Sequence, residues 1–297
     1  VPATEPRAPT VFRFPGPLLL QPLHGDRAGG VDRPTAAART PTLSVAVLTR
    51  NEAHRIRECL DSAAPIAHEL VVVDSGSTDG TMAVAEAAGA RVFSHPDWQG
   101  FAVQRNRLLA HCTGDYVFFL DADEQMTPAL RDELQAIVQS GARGVWKIRW
   151  RMVAFGRPLT WYRAQSQIER LFPRELLREF TGVVHEEAQL RGEPLPRHLV
   201  RAPLLHHSRE TVRGSLEKLT QYAMLGAAKR AALGKRGGVL RGLASGLSMF
   251  FRLYLLRLGF LCGGAGFLYC LFVALESFFR YAALSYDRAH LTGQVVR

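Results

Sequence analysis

Four short apolar runs constrain this chain more than any other feature: "LSVAVLT" (43–49), "ELVVVD" (69–74), "ARVFS" (90–94) and "DYVFFLD" (115–121). Segments with helical spacing lie between them, and Ile56, Cys59, Leu60 and Ala63 recur on one face after the first run. Apolar strands that alternate with helices predict an α/β fold whose mostly parallel sheet is covered on both sides. After the fourth run, Thr127 and Pro128 suit the cap and first turn of a helix, with Leu130, Leu134, Ile137 and Val138 on its inner face. Ligands of open sheets gather beyond the carboxyl ends of the strands. Asp74 and Asp121 end two of these runs.

The stretch "FFLDADEQ" (118–125) sets three acids at such an edge. Asp121 and Asp123, separated by Ala122, can converge on one cation where the strand unravels. Mg²⁺ and Mn²⁺ suit this role, because they take one or two carboxylates alongside substrate phosphates. The alternative is that the acids solvate a loop or favour the dipole of the next helix. In "VVVDSGSTDGT" (71–81) Asp74 reaches a strand end, where it can accept hydrogen bonds from a base or ribose, and Ser77 or Thr78 can cap the next helix. Neither a P-loop nor GxGxxG follows any run, so a bound diphosphate needs neutralising in some other way.

The chain carries 37 basic and 27 acidic residues, a net charge of +10. That balance suits phosphorylated or lipid partners, and no zinc finger, RNA-recognition motif or basic zipper supports nucleic acid. Cys59, Cys112, Cys262 and Cys270 have no metal or redox spacing and are expected as buried small residues. Residues 1–40, rich in Pro, Ala, Arg and Thr, are expected to form a disordered leader. "VWKIRWRM" alternates apolar Trp146, Ile148, Trp150 and Met152 with Lys147, Arg149 and Arg151. Its cationic face is either a protected edge or a site for an anionic acceptor. Residues 211–297 are expected to be helical and membrane-associating, leaving 41–210 as the catalytic domain. Within the helical region "LGFLCGGAGFLYCLFVAL" (258–275) is an uncharged run long enough to span a bilayer, although three glycines in the four positions 263–266 weaken it as a helix. "LSMFFRLYLLRLGF" mixes arginines with aromatics and leucines, as a helix lying in a lipid interface does. Interfacial embedding is the favoured expectation, ahead of a span, a re-entrant hairpin or a soluble helical layer.

Taken in order, "LTRNE", "VVVDSGSTDGT", "QRNRLLAHCTGDYVFFLDADE" and "VHE" resemble family 2 glycosyltransferases of the GT-A fold, nearest the bacterial lipopolysaccharide-core group. The resemblance implies inverting transfer from a nucleotide-sugar donor, usually UDP-linked, with Mg²⁺ or Mn²⁺. It implies Thr49, Asn51 and Glu52 at the nucleotide end of the first strand, Asp74 on the nucleoside, and Arg105 with Asn106 lining the same pocket. Asp121 and Asp123 match the motif for metal and diphosphate, with Asp123 the direct ligand. An inverting transfer needs a base for the acceptor hydroxyl. Glu186 matches that position, with His185 orienting the acceptor; the alternative is that Glu186 pairs with an arginine. His206 is a further candidate metal ligand, although a lone histidine is more often structural. Two departures stand out. "WYRAQSQIERLF" (161–172) is about two residues longer than the family pattern, which unsettles Gln167 and Arg170 as acceptor contacts, and "GFLCG" puts Cys262 where relatives carry an acid. The expected partners are a nucleotide sugar, a lipid-linked glycan acceptor and the cytoplasmic face of a bacterial inner membrane. Transfer to polyprenyl phosphate and non-catalytic nucleotide-sugar binding are the competing readings.

Overall fold

The computed structural model describes residues 39–163, 167–182 and 186–291. Nearly all of the expected leader, and part of the long stretch at 161–172, lie outside the described residues. From the amino end the chain runs β1 (Leu43–Thr49), α1 (Ile56–Ala63), β2 (Glu69–Asp74), α2 (Thr81–Ala87), β3 (Arg91–Ser94), α3 (Phe101–His111) and β4 (Tyr116–Asp121). Next come β5 (Glu124–Met126), α4 (Pro128–Gln139), β6 (Val145–Ala154), β7 (Arg157–Pro158), β8 (Gln167–Pro173), β9 (Leu177–Thr181), β10 (Glu187–Leu190), β11 (Arg197–Leu199) and β12 (Leu204–Arg209). Three helices close the described chain: α5 (Val212–Ala232), α6 (Val239–Phe251) and α7 (Gly263–Tyr286).

The main sheet has the order β3-β2-β1-β4-β8-β6-β12-β5, with β7 and β11 also on β6. Strands β1 to β4 are parallel. Strand β8 runs antiparallel to both β4 and β6, and β5 antiparallel to β12, so the second half of the sheet is mixed. Side chains of the parallel strands alternate between two cores. Val45, Val47, Val72, Phe118 and Leu120 pack with the buried residues of α1 and α4, while Ala46, Val71, Val73, Val117 and Phe119 pack with Leu108 of α3 and Phe180 of β9. Burial on both faces is why the middles of these strands, 45–48, 70–73 and 117–120, are wholly apolar. Thr127 caps α4 as expected, its hydroxyl accepting from Leu130 N at 3.2 Å. Neither Ser77 nor Thr78 caps α2; Gly80 holds the cap position. Cys59, Cys112 and Cys270 are buried and Cys262 is half-buried, all four as free thiols.

At the amino end of the sheet, Glu69 accepts from Ser44 Oγ (2.6 Å), Thr113 N (2.5 Å) and Arg91 Nη1 (2.6 Å). Burial acts to raise its carboxyl, but these donors outweigh it and hold the group at about 2, against 4.5 ordinarily. A depressed folded-state value contributes stability that is complete above the unfolded value and disappears as pH falls through the folded one. Glu69→Gln is therefore expected to cost about 1–3 kcal/mol at neutral pH. In urea titrations the difference from the parent should shrink between about pH 4.5 and 2; a gap unchanged at pH 2 would place its origin elsewhere.

The uncharged run 258–275 is not one helix. Leu258 is left-handed (φ 60°), a 3₁₀ turn covers Gly259–Cys262, and α7 starts only at Gly263. Helix α7 packs against α5, α6 and β6.

Candidate active site

The loops after β1 and β2 are stitched together. Asn51, left-handed at φ 55°, donates its backbone N–H to Ser77 Oγ (2.8 Å) and accepts from Thr78 N (2.8 Å). Glu52 N donates to Thr81 Oγ1 (2.8 Å), while the Glu52 carboxylate pairs with Arg55 at 2.8 Å. Asp74 is fully buried and accepts from Gly76 N (2.9 Å), Ser77 N (2.8 Å) and the Ser77 hydroxyl. Here its carboxylate folds the turn, which differs from the expected presentation toward a nucleoside. Thr49 is buried and its hydroxyl lacks a hydrogen-bond partner among the described residues.

The cation beside Asp121 turns out to be arginine. Arg105, from α3, lies 3.3 Å from Asp121 Oδ1 through Nη2 and 2.9 Å from Glu186 Oε1 through Nε. Arg170, from β8, sets Nη2 2.6 Å from both Asp121 Oδ2 and Glu124 Oε1. Glu124 is fully buried and also accepts from Trp150 Nε1 (2.5 Å) and Asp121 N (2.9 Å). The result is an alternating row, Glu186–Arg105–Asp121–Arg170–Glu124. Burial opposes ionisation of Asp121, but Arg170 and Arg105 hold its carboxyl well below the usual range. Glu124 goes the other way, pushed up to about 8 by burial despite Arg170. Arg170 is itself buried, with Nε and Nη1 lacking partners among the described residues. A chain built for stability alone gains little from such a group, since apolar replacements of buried ion pairs are often neutral or stabilising.

Asp123 points elsewhere. Its Oδ1 lies 3.6 Å from His206 Nδ1, and the His206 ring stacks on Trp150 with centroids 4.7 Å apart. Burial lowers the His206 pKa, favouring neutral imidazole, and its buried Nδ1 has no hydrogen-bond partner among the described residues. At 3.6 Å the two atoms are too far apart for a hydrogen bond. A carboxylate and an orphaned imidazole nitrogen facing one another fit a divalent cation between them. The expected three-residue set is not assembled, because Asp121 is turned toward the arginines. Among the described residues no three His, Cys, Asp or Glu side chains stand together as a metal cage. Two protein ligands suffice where phosphate oxygens and water complete the shell.

Two further expectations shift. Asn106 clamps the backbone of β9, donating to Phe180 O (3.0 Å) and accepting from Phe180 N (2.7 Å). Adjacent helix residues point about 100° apart, so Arg105 and Asn106 serve different surfaces. His185 lies outside the described residues. Arg170 and Glu124, with Trp150, are the members that sequence reasoning did not assemble. Glu124 follows an obvious acid pair, but nothing local links it to a β8 arginine 46 residues away.

A cleft of about 620 Å³ opens beside the row, lined by Arg105, Asp121, Glu186 and residues of β6 and β8. On its wall Glu169 takes both Arg197 (2.8 Å) and Lys147 (3.8 Å). Its other charges are Arg170 and Glu187, so the described lining holds four cations against four carboxylates. The cleft is charge-balanced.

The family model for glycosyl transferase family 2 matches residues 44–190. A glycosyltransferase of Rickettsia felis is 27% identical over 261 residues, covering 82% of this chain and 89% of that protein. The lipopolysaccharide core biosynthesis glycosyltransferase LpsC of Rhizobium meliloti is 29% identical over 258 residues, 83% of this chain and 92% of that one. Among solved structures, glucosyl-3-phosphoglycerate synthase from Mycobacterium tuberculosis, in complex with Mn²⁺, UDP and glucosyl-3-phosphoglycerate, is similar at 27% identity and a TM-score of 0.36. That match covers 46% of this chain, which spans 58% of the synthase chain.

Proposed function

This chain belongs to glycosyl transferase family 2, and we propose that it moves a sugar, with inversion, from a nucleotide-diphosphate donor to a lipid-linked envelope glycan. The observation that carries this reading is the charged row across the cleft floor, with the Asp123–His206 pair beside its inner end. Similarity to a lipopolysaccharide core enzyme across most of both chains supports an acceptor of that class. Residues 41–210 form the catalytic part and 211–297 the membrane-associating part, at the cytoplasmic face of a bacterial inner membrane. UDP is the expected nucleotide.

In the reaction an acceptor hydroxyl oxygen attacks the anomeric carbon. The bond from that carbon to the diphosphate breaks, its electron pair leaves with the nucleotide diphosphate, and the hydroxyl proton passes to Glu186. Arg105 orients Glu186 through its Nε and Asp121 through its Nη2, so one rigid guanidinium sets the base and the strand end together. Asp123 and His206 would hold Mg²⁺ or Mn²⁺, which when bound neutralises charge on the departing diphosphate. Arg170 fixes Asp121 in its turned position, leaving Asp123 as the carboxylate of the pair with no arginine against it among the described residues.

A charge-balanced cleft suits the uncharged hydroxyl of a sugar better than an acceptor that is itself a phosphate. Glu186→Gln tests this directly. Turnover is expected to fall about a hundredfold with donor affinity kept, as for loss of a general base. Unchanged turnover would favour a phosphate acceptor, which needs no base. Donor binding without transfer by the parent protein, given lipid acceptor, would favour a non-catalytic role.

A further inference from the structure

Two helical stretches, Val239–Leu256 and Gly259–Tyr286, are long and apolar enough to cross a membrane. The structure treats them differently. Helix α7 is tied into the fold: Glu276 forms an ion pair with buried Arg209 at the end of β12, and the same guanidinium sits 5.3 Å from the Phe272 ring centroid. Tyr269 stacks edge-on with Tyr162 at 5.4 Å, and Arg163 N donates to Arg257 O (3.0 Å) at the hairpin turn. Surrounding α7 with lipid would break its contacts with Arg209 and Tyr162 and strand the Arg209 charge.

Helix α6 runs antiparallel to α7 with its small residues inward. A Cβ on Gly242 would lie 2.8 Å from Phe278 O, one on Gly246 would lie 3.1 Å from Ala274 O, and the Ser245 and Ser277 hydroxyls bond at 2.6 Å. The opposite face carries Leu240, Leu243, Leu247 and Phe251 at helical spacing, 81%, 46%, 69% and 55% exposed among the described residues. Leu255 and Leu256 extend the apolar surface past the helix end. Monomeric soluble proteins rarely leave such a contiguous surface uncovered.

Charge identifies what covers it. Residues 218–286 hold nine Lys and Arg against one acid, and that acid is Glu276, already paired with Arg209. Lys235, Arg236, Arg241 and Arg252 are exposed on and around α6. A second copy of this chain would bring the same positive field and be repelled, whereas an anionic surface is attracted. We infer that the outer face of α6 seats in the plane of an anionic phospholipid bilayer, with Leu240, Leu243, Leu247 and Phe251 immersed and these four cations among the headgroups. The assignment narrows the expected interfacial contact of residues 211–297 to one face of one helix. It rests on the proposed function only for its purpose, holding the cleft beside a lipid-linked acceptor.

The test reads binding, so it stands or falls apart from sugar transfer. The full chain and its Leu240→Glu/Leu247→Glu variant are sedimented with phosphatidylcholine vesicles containing or lacking phosphatidylglycerol. Both positions face solvent, so the variant should keep the parent's circular dichroism spectrum and melting temperature. The parent is expected to pellet with the anionic vesicles alone, and the variant to bind them at least about tenfold more weakly. Single tryptophans at 240, 247 and 251, quenched by lipids brominated at known depths, are expected to report one common shallow depth. Equal binding by parent and variant would overturn the inference, as would depths graded along the helix as in a span. A lipid-independent dimer dissolved by the double substitution would overturn it too, in favour of a second copy.

Discussion

Replacing Arg170 with methionine is expected to cost the folded protein about 3–5 kcal/mol, because it leaves fully buried Glu124 without its guanidinium donor and half-buried Asp121 with Arg105 alone. One nitrogen of Arg170 serves both Asp121 and Glu124 at 2.6 Å. Glu124 also receives Trp150 Nε1 and the Asp121 backbone, so its loss of balance spreads to β4 and β6. Arg170→Lys is expected to recover only part of the loss, since an ammonium cannot reproduce the fixed planar fork of donors. Adding Glu124→Gln to Arg170→Met should restore part of the stability, because burial already resists ionising Glu124 and a neutral amide keeps an oxygen for Trp150 Nε1, a coupling visible in a double-mutant cycle. Chemical denaturation of the four proteins supplies the numbers. Additive effects would mean that Arg170 and Glu124 do not act as a pair.

The second large effect belongs to Asp123. Asp123→Asn is expected to lower kcat/KM about a thousandfold, the scale seen when one preorganised charge-stabilising group is removed. Melting curves separate this from a folding defect. A ligand that binds only the native state raises its stability, so a UDP-sugar with Mn²⁺ should raise the parent's melting temperature more than the UDP-sugar alone. Asp123→Asn should keep the unliganded melting temperature and lose the increment due to Mn²⁺. His206→Ala is expected to lose part of the same increment. If Asp123→Asn kept the increment while Asp121→Asn abolished it, the cation would be assigned to the wrong carboxylate of the pair.

The outcome at Asp121 shows where sequence reasoning reached its limit. Adjacent acids at a strand end require positive charge, and that inference needs no coordinates. The charge has two sources, however: Arg105, 16 residues upstream, and Arg170, 49 residues downstream. Only the pairing of β8 against β4 brings Arg170 to the β4 edge. The same distinction applies to Asp74. Its place at a strand end is legible in "VVVD", but its fully buried carboxylate folds the next turn, and turn geometry of this kind depends on backbone angles rather than residue type alone.

By itself the sequence determined the parallel half of the sheet, the inner faces of α1 and α4, and the edge at which the acids cluster. Those features follow from apolar periodicity and capping chemistry, which act over a few residues and leave a local trace. Tertiary structure alone decided that β8 enters antiparallel, that Arg170 and Glu124 meet beneath Asp121, that Asp123 faces His206, and that α6 exposes more of its greasy surface than the more apolar α7. Each of these depends on contacts between segments far apart in the chain, whose energies arise only once the sheet and helices have packed.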